Sequence, residues 1–234
     1  MAWLARLGPA RTAGLIYLIV VVTGILSLAY VPSQLIVSGD GAKTVENIAA
    51  AQGLFRFGIA ASFVRDVAFV LLPLALYRLL SHVSRNLAML MVLLAVVAVP
   101  ISLGNLVNTL HVLTLLSGKP YLANYSADQL QAAVMLSLAR YGSGLLAAKI
   151  FWGLWLLPLG YLVLRSDLLP KILGILLMIG CFGYLVDVFG ETLLAGYSSS
   201  NVARYVRLPG SLGEIGTCLW LVIFGARERG ASVR

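Results

Sequence analysis

The sequence predicts an all-α fold: a polytopic integral membrane protein built as a six-transmembrane-helix bundle. Of its 234 residues 60% are hydrophobic and only 11% charged, with a mean hydropathy of +0.95. Soluble domains carry about 45–50% apolar and about 25% charged residues. The apolar residues also fall into six runs near the length of about 20 residues that a helix needs to cross the hydrocarbon core. Finally, the charged residues inside those runs gather at one depth, which predicts a bundle with a polar interior rather than isolated anchors.

In chain order the predicted spans cover residues 12–36, 57–80, 87–115, 141–164, 169–195 and 210–224 of a single transmembrane domain, 1–234. The opening stretch also admits a cleavable leader ending at Ala29. Its apolar run exceeds the core of about 7–15 residues typical of such leaders, so a retained span is expected. "GDGAKTVENIAAAQGLF" follows the first span and "GKPYLANYSADQLQAAVMLSLA" the third. In the second of these, Ser126 and Gln129 form a Ser-x-x-Gln capping box, so each loop is expected to carry a short helix running into the next span. The sixth run is the shortest and extends backward through Pro209, a residue suited to a first helical turn.

The net charge of +8 does not point to nucleic acid, because the basic residues are scattered between apolar runs. They set topology instead. With the N-terminus inside, the cytoplasmic side receives nine basic residues: Arg6, Arg11, Arg78, Arg85, Arg165, Lys171, Arg227, Arg229 and Arg234. The outer side receives six: Lys43, Lys119, Arg204 and Arg207, with Arg56 and Arg140 at the rim. Both termini are therefore expected in the cytoplasm. The two cysteines, Cys181 and Cys218, sit deep in apolar runs with no CxxC or Cys/His grouping, and read as small buried hydrophobes.

Residues 56–77, "RFGIAASFVRDVAFVLLPLALY", align without gaps with residues 140–161, "RYGSGLLAAKIFWGLWLLPLGY". Arg65 then meets Lys149, and laying Trp220 on Trp155 puts Glu214 at the same position. Three two-helix hairpin repeats are the expectation this raises; chance alignment of leucine-rich helices is the competing one.

Depth is the informative coordinate for a site. At a rise of about 1.5 Å per residue, Arg65 and Asp66 lie midway along span two and Lys149 at a similar depth in span four. Asp187 and Glu191 lie in the outer half of span five, and Glu214 in that of span six. Asn105, Asn108 and His111 lie near the outer end of span three. The inner halves are almost purely aliphatic and aromatic. A charge at the bilayer centre costs about 2.5–3.5 kcal/mol on insertion scales, so these groups are expected to pair, or to line water. Arg65 and Asp66, being adjacent, point about 100° apart, which predicts a partner for each on another helix. Asp187 and Glu191 share a face with Tyr184, which makes span five the expected acidic partner of both Arg65 and Lys149.

The leading functional expectation is a polar pocket, open to the outer leaflet, that binds or passes a small polar or amphipathic ligand. Arg65, Asp66, Asn105, Asn108, His111, Lys149, Asp187, Glu191 and Glu214 would line it. Gly58, Gly142, Gly144, Gly183, Gly213 and Gly216 would let helices pack closely around it. Two alternatives stand beside this. One is an intramembrane enzyme using Asp187, Glu191, Glu214 and His111 as acid and base, although no GxSxG or HExxH motif is present. The other is an ion-pair network that only sets helix register. No metal or cofactor is expected: His111 alone lies in the polar layer, His82 on the inner side, and catalytic zinc sites use more nitrogen or sulfur ligands. The aromatics Phe151, Trp152, Trp155, Tyr161 and Trp220 read as packing residues or interfacial anchors. The expected partners are the lipid bilayer and that ligand, with no nucleic acid and no oligomeric state implied.

"KIFWGLWLLPLGYLVLRSDLLPKILGILLMIGCFGYLVD", residues 149–187, resembles the bacterial membrane-protein family catalogued as domain of unknown function 4386. So do "YVPSQLIVSGDGAKTVENI" in the first outer loop and "GEIGTCLWLVIFG" near the end. The resemblance covers nearly the whole chain. It implies a bacterial polytopic protein of the cytoplasmic membrane, and no activity.

Overall fold

The structure, a computed structural model, describes residues 8–226. Arg6, Arg227, Arg229 and Arg234, counted above for topology, lie outside the described residues, as does the start of the leader alternative. Six helical segments are long and apolar enough to cross a membrane. Strands are absent among the described residues. In lipid every backbone N–H and C=O must be satisfied within the protein, and a helix does so within one segment.

The first span, Pro9–Leu35, is α1 (Pro9–Ile25), a π-helical stretch Leu26–Tyr30, and α2 (Val31–Leu35). α3 (Gly41–Ala50) follows, capped by the Asp40 carboxylate on the Lys43 amide at 2.8 Å. Only Ala51 separates it from the second span, α4 (Gln52–Leu80). The third span is α5 (Arg85–Leu115). The fourth, Ala127–Ser166, is α6 (Ala127–Leu154) and α7 (Leu156–Ser166), joined at Trp155. At its start the Ser126–Gln129 capping box forms in both directions. The fifth span is α8 (Lys171–Leu193). The sixth, Asn201–Ile223, is α9 (Asn201–Val206) and α10 (Leu208–Ile223), with Pro209 in the first turn of α10.

Consecutive spans pack as antiparallel hairpins: α1 on α4, α5 on α6, and α8 on α10. The first span also packs on the sixth, so the bundle closes on itself. Here a Cβ at Gly14 would stand 2.7 Å from the Leu221 carbonyl carbon, so only glycine permits this approach. Gly8, Arg11, Leu79 and Gly225 line one cleft, so both ends of the described chain lie at the same end of the bundle. That is the terminal end; α3, α9 and the 116–126 loop form the opposite, loop end.

The core concentrates toward the terminal end, where Leu72, Leu76, Leu80, Met91, Leu159 and Leu162 are buried together. A smaller cluster lies toward the loop end around Val31, Leu35, Ile48, Phe55 and Ile59. The outside is apolar as well, with Val67, Leu93, Val107, Phe182, Phe189 and Leu219 all exposed. Such a surface marks a membrane-facing protein.

Candidate functional site

The charged groups of the polar layer are brought together in part, in clusters that the helices hold apart. The first is built on α4. Arg65 donates from Nε to Asp66 Oδ1 at 2.9 Å, and its second terminal nitrogen approaches the same oxygen at 2.8 Å. Both residues are buried, at 4% and 3% exposure. The ion pair thus closes within α4, because the arginine side chain is long enough to fold back onto its neighbour; the partners expected on other helices are present for Arg65, but they are not carboxylates. Neighbouring helices supply hydroxyls instead. Ser102 of α5 accepts from Arg65 at 2.9 Å, and Ser27, in the π-helical stretch, accepts at 3.4 Å. The guanidinium also lies 5.4 Å from the ring centre of Trp152, within cation–π range.

In the second cluster, Lys149 of α6 donates to Asp187 at 2.9 Å and to Glu191 at 3.2 Å. These two are one turn apart on α8, as their spacing predicts. Span five is thus the partner of Lys149 but not of Arg65. Arg207, at the junction of α9 and α10, stands 3.7 Å from the other oxygen of Asp187. A third group lies between α5 and α6. Asn105 donates to the Tyr141 carbonyl at 2.8 Å, Asn108 donates to Asn105, and His111 pairs with the Ser137 hydroxyl at 3.0 Å.

Between the first span, α4, the α6–α7 junction, α8 and α10 lies a cavity of about 440 Å³. Of the nine residues expected to share one pocket, Arg65, Asp66 and Glu214 line it. Lys149 and Asp187 stand behind its Arg207 wall, Glu191 lines a separate groove at the loop end, and Asn105, Asn108 and His111 face α6. In the cavity wall Glu214 accepts a hydrogen bond from Tyr184 at 3.2 Å. The Tyr17 hydroxyl lies against the same carboxylate. Trp155, fully buried, stands edge-on to Phe69 at 5.2 Å and is tilted against Tyr17 at 6.4 Å. Tyr17, Phe69 and Trp155 all belong to the wall.

The family model described as "Domain of unknown function (DUF4386)" matches residues 12–225. The chain belongs to this family. The DUF4386 chain is also 31% identical over 171 residues to an "Uncharacterized protein" of Archaeoglobus fulgidus, an alignment spanning 73% of this chain and 85% of that one. No solved structure matches it.

Sequence reasoning missed several wall residues of this DUF4386 protein. Tyr17 lies in a strongly apolar span and carries no charge to mark it. Trp152 and Trp155 read as packing residues because their spacing suits a helix face. Arg207 read as a topology signal because nothing local shows that α9 folds it back over Asp187. The Ser27–Arg65 contact was signalled only by two polar residues within apolar runs.

Proposed function

We propose that this protein binds a small polar or amphipathic molecule within the membrane, in the cavity walled by Arg65, Asp66 and Glu214. One observation carries the reading. Three ionisable side chains from two spans, Arg65, Asp66 and Glu214, line this one cavity. An ionisable group inside a membrane span is costly and marks a functional site by default. Several around one cavity favour a polar occupant. The size, about 440 Å³, falls within the range of about 300–1,000 Å³ of small-molecule sites, which share this mostly apolar lining with few polar groups.

Ile25 and Leu28 of the first span and Ser211 and Ile215 of α10 line the cavity and are themselves exposed. This supports entry from the side, in the loop half of the bilayer. Toward the terminal end the packed core around Leu72, Leu76 and Leu159 offers no polar route, which favours binding over passage. The sequence assignment of basic residues, nine to the inner side against six to the outer with the N-terminus inside, favours a cytoplasmic terminal end and a pocket facing outward from a bacterial cytoplasmic membrane.

Cysteine accessibility tests this. In a Cys181→Ala/Cys218→Ala background, single cysteines at Ser211 and Glu214, both in the cavity wall, are expected to react with a membrane-impermeant thiol reagent added outside intact cells. A cysteine at Leu76, 1% exposed, is expected not to react. Labelling only in inverted vesicles would reverse the orientation and keep the cavity. No labelling at either position in correctly inserted protein would mean a closed, dry site and end the proposal.

A further inference from the structure

Resting on the cavity as a ligand site, we infer that the ligand is an amphipathic ammonium: one cationic nitrogen held by Glu214, with an apolar tail lying between the first span and α10. The argument begins from charge pairing. Asp66 has Arg65, Asp187 has Lys149 and Arg207, and Glu191 has Lys149. Asp128 also has no ion pair but sits exposed in the first turn of α6; among the described carboxylates of the polar layer, Asp66, Asp187, Glu191 and Glu214, only Glu214 has no basic side chain within ion-pair distance. Its partners are phenols: Tyr184 donates to it, and the Tyr17 hydroxyl, on a residue 1% exposed, lies against it. A carboxylate held in hydrocarbon without a counter-ion is costly, and a cationic ligand would supply that counter-ion.

The surroundings suit a cation bearing carbon substituents. Tyr17, Phe69, Trp155 and Tyr184 stand in the same wall as Glu214. Aromatic faces attract an ammonium that has shed its water, and a carboxylate adds the directed contact. The two arginines in the wall do not cancel this. Arg65 is closed on Asp66 and covered by Trp152. Arg207 is turned toward the Ala203 carbonyl, at 2.8 Å, and toward Asp187. Beyond Glu214 the wall is apolar, with Val21, Ile25 and Leu28 on one side and Ile215 on the other. That strip accepts an alkyl tail and would repel a second charge.

The test uses the full chain, purified in maltoside detergent, with tryptophan fluorescence as the readout. Decyltrimethylammonium is the probe, and decanoate and decanol are the anionic and neutral controls of equal tail length. The expected result is saturable binding of decyltrimethylammonium at least about tenfold tighter than of either control. Glu214→Gln should remove that preference and Glu214→Asp should keep most of it, with size-exclusion profile and thermal midpoint checked for both. A Glu214 that acts only as a neutral hydrogen-bond partner would be replaced by glutamine without loss, and that outcome overturns the inference. Tighter binding of decanol or decanoate also overturns it while leaving the cavity a ligand site. No binding of any probe removes the ligand-site reading as well. Nanodiscs separate the two sources of the ammonium. Weakening of decyltrimethylammonium binding as phosphatidylethanolamine replaces phosphatidylglycerol assigns it to a lipid headgroup. Indifference to that exchange assigns it to a free amphiphile.

Discussion

Arg65 and Lys149 occupy matched positions in the sequence alignment yet meet different chemistry. Arg65 is neutralised within its own helix, whereas Lys149 bridges to another. The consequence for stability is sharpest at Lys149, because Asp187 is fully buried and its remaining cation, Arg207, stands 3.7 Å away. Removing one member of a buried pair leaves an uncompensated charge and costs about 3–5 kcal/mol. Lys149→Met is therefore expected to lower the thermal midpoint in detergent strongly. Lys43→Met breaks only the exposed pair with Glu46 and should lie within about 1 kcal/mol of the parent. Equal midpoints for the two variants would show that the Lys149 cluster is solvated rather than buried. The acidic partners of Lys149 were legible from their spacing of one turn. The Arg65–Asp66 pair was not, because backbone direction says nothing about how far an arginine bends back.

Helix existence was legible nearly everywhere, since about 20 apolar residues in lipid leave the backbone few choices. Interruptions were less so. Neither the π-helical stretch at Leu26–Tyr30 nor the junction at Trp155 carries a proline or glycine at its centre; both are settled by packing. Close contacts were legible only in part. Gly144 and Gly213 do meet neighbouring helices, but Gly142 has nothing near it, and the approach of Gly160 to Gly174 was not foreseen. A Cβ at Gly160 would stand 2.6 Å from the Gly174 carbonyl oxygen, so α7 and α8 touch through backbone there. Gly160→Leu is expected to destabilise by at least about 1–3 kcal/mol, while Gly142→Ala should change the unfolding midpoint little. A Gly160→Leu protein with unchanged midpoint would show that α7 and α8 separate without cost.

For the whole molecule the deciding contact is between the first and last spans, which closes the bundle and gives the cavity its second wall. At the closure a Cβ at Gly14 would lie 2.9 Å from Leu221 Cβ, the two residues being far apart in sequence. A slight separation reaches the usual disulfide spacing of about 3.5–4.5 Å. With Cys181 and Cys218 replaced by alanine, the pair Gly14→Cys/Leu221→Cys should cross-link on oxidation, read by mass spectrometry of joined peptides. A cross-link between different chains in its place would mean that the sixth span packs on a neighbouring molecule.

The sequence by itself determined the class, the six spans and the depth of the polar layer, because hydrophobicity and length act within one segment. It also marked Arg65, Asp66 and Glu214, since a charge in an apolar run is conspicuous whatever surrounds it. Only the tertiary structure decided that these three share a cavity while Asn105, Asn108 and His111 face elsewhere. It alone brought Tyr17, Trp155 and Arg207 to that wall. The reason is physical: depth follows from position along one helix, but facing depends on the rotation of each helix against its neighbours. That rotation is set by backbone contacts such as Gly14 on Leu221, which leave no periodic signature in a span that is apolar on every side.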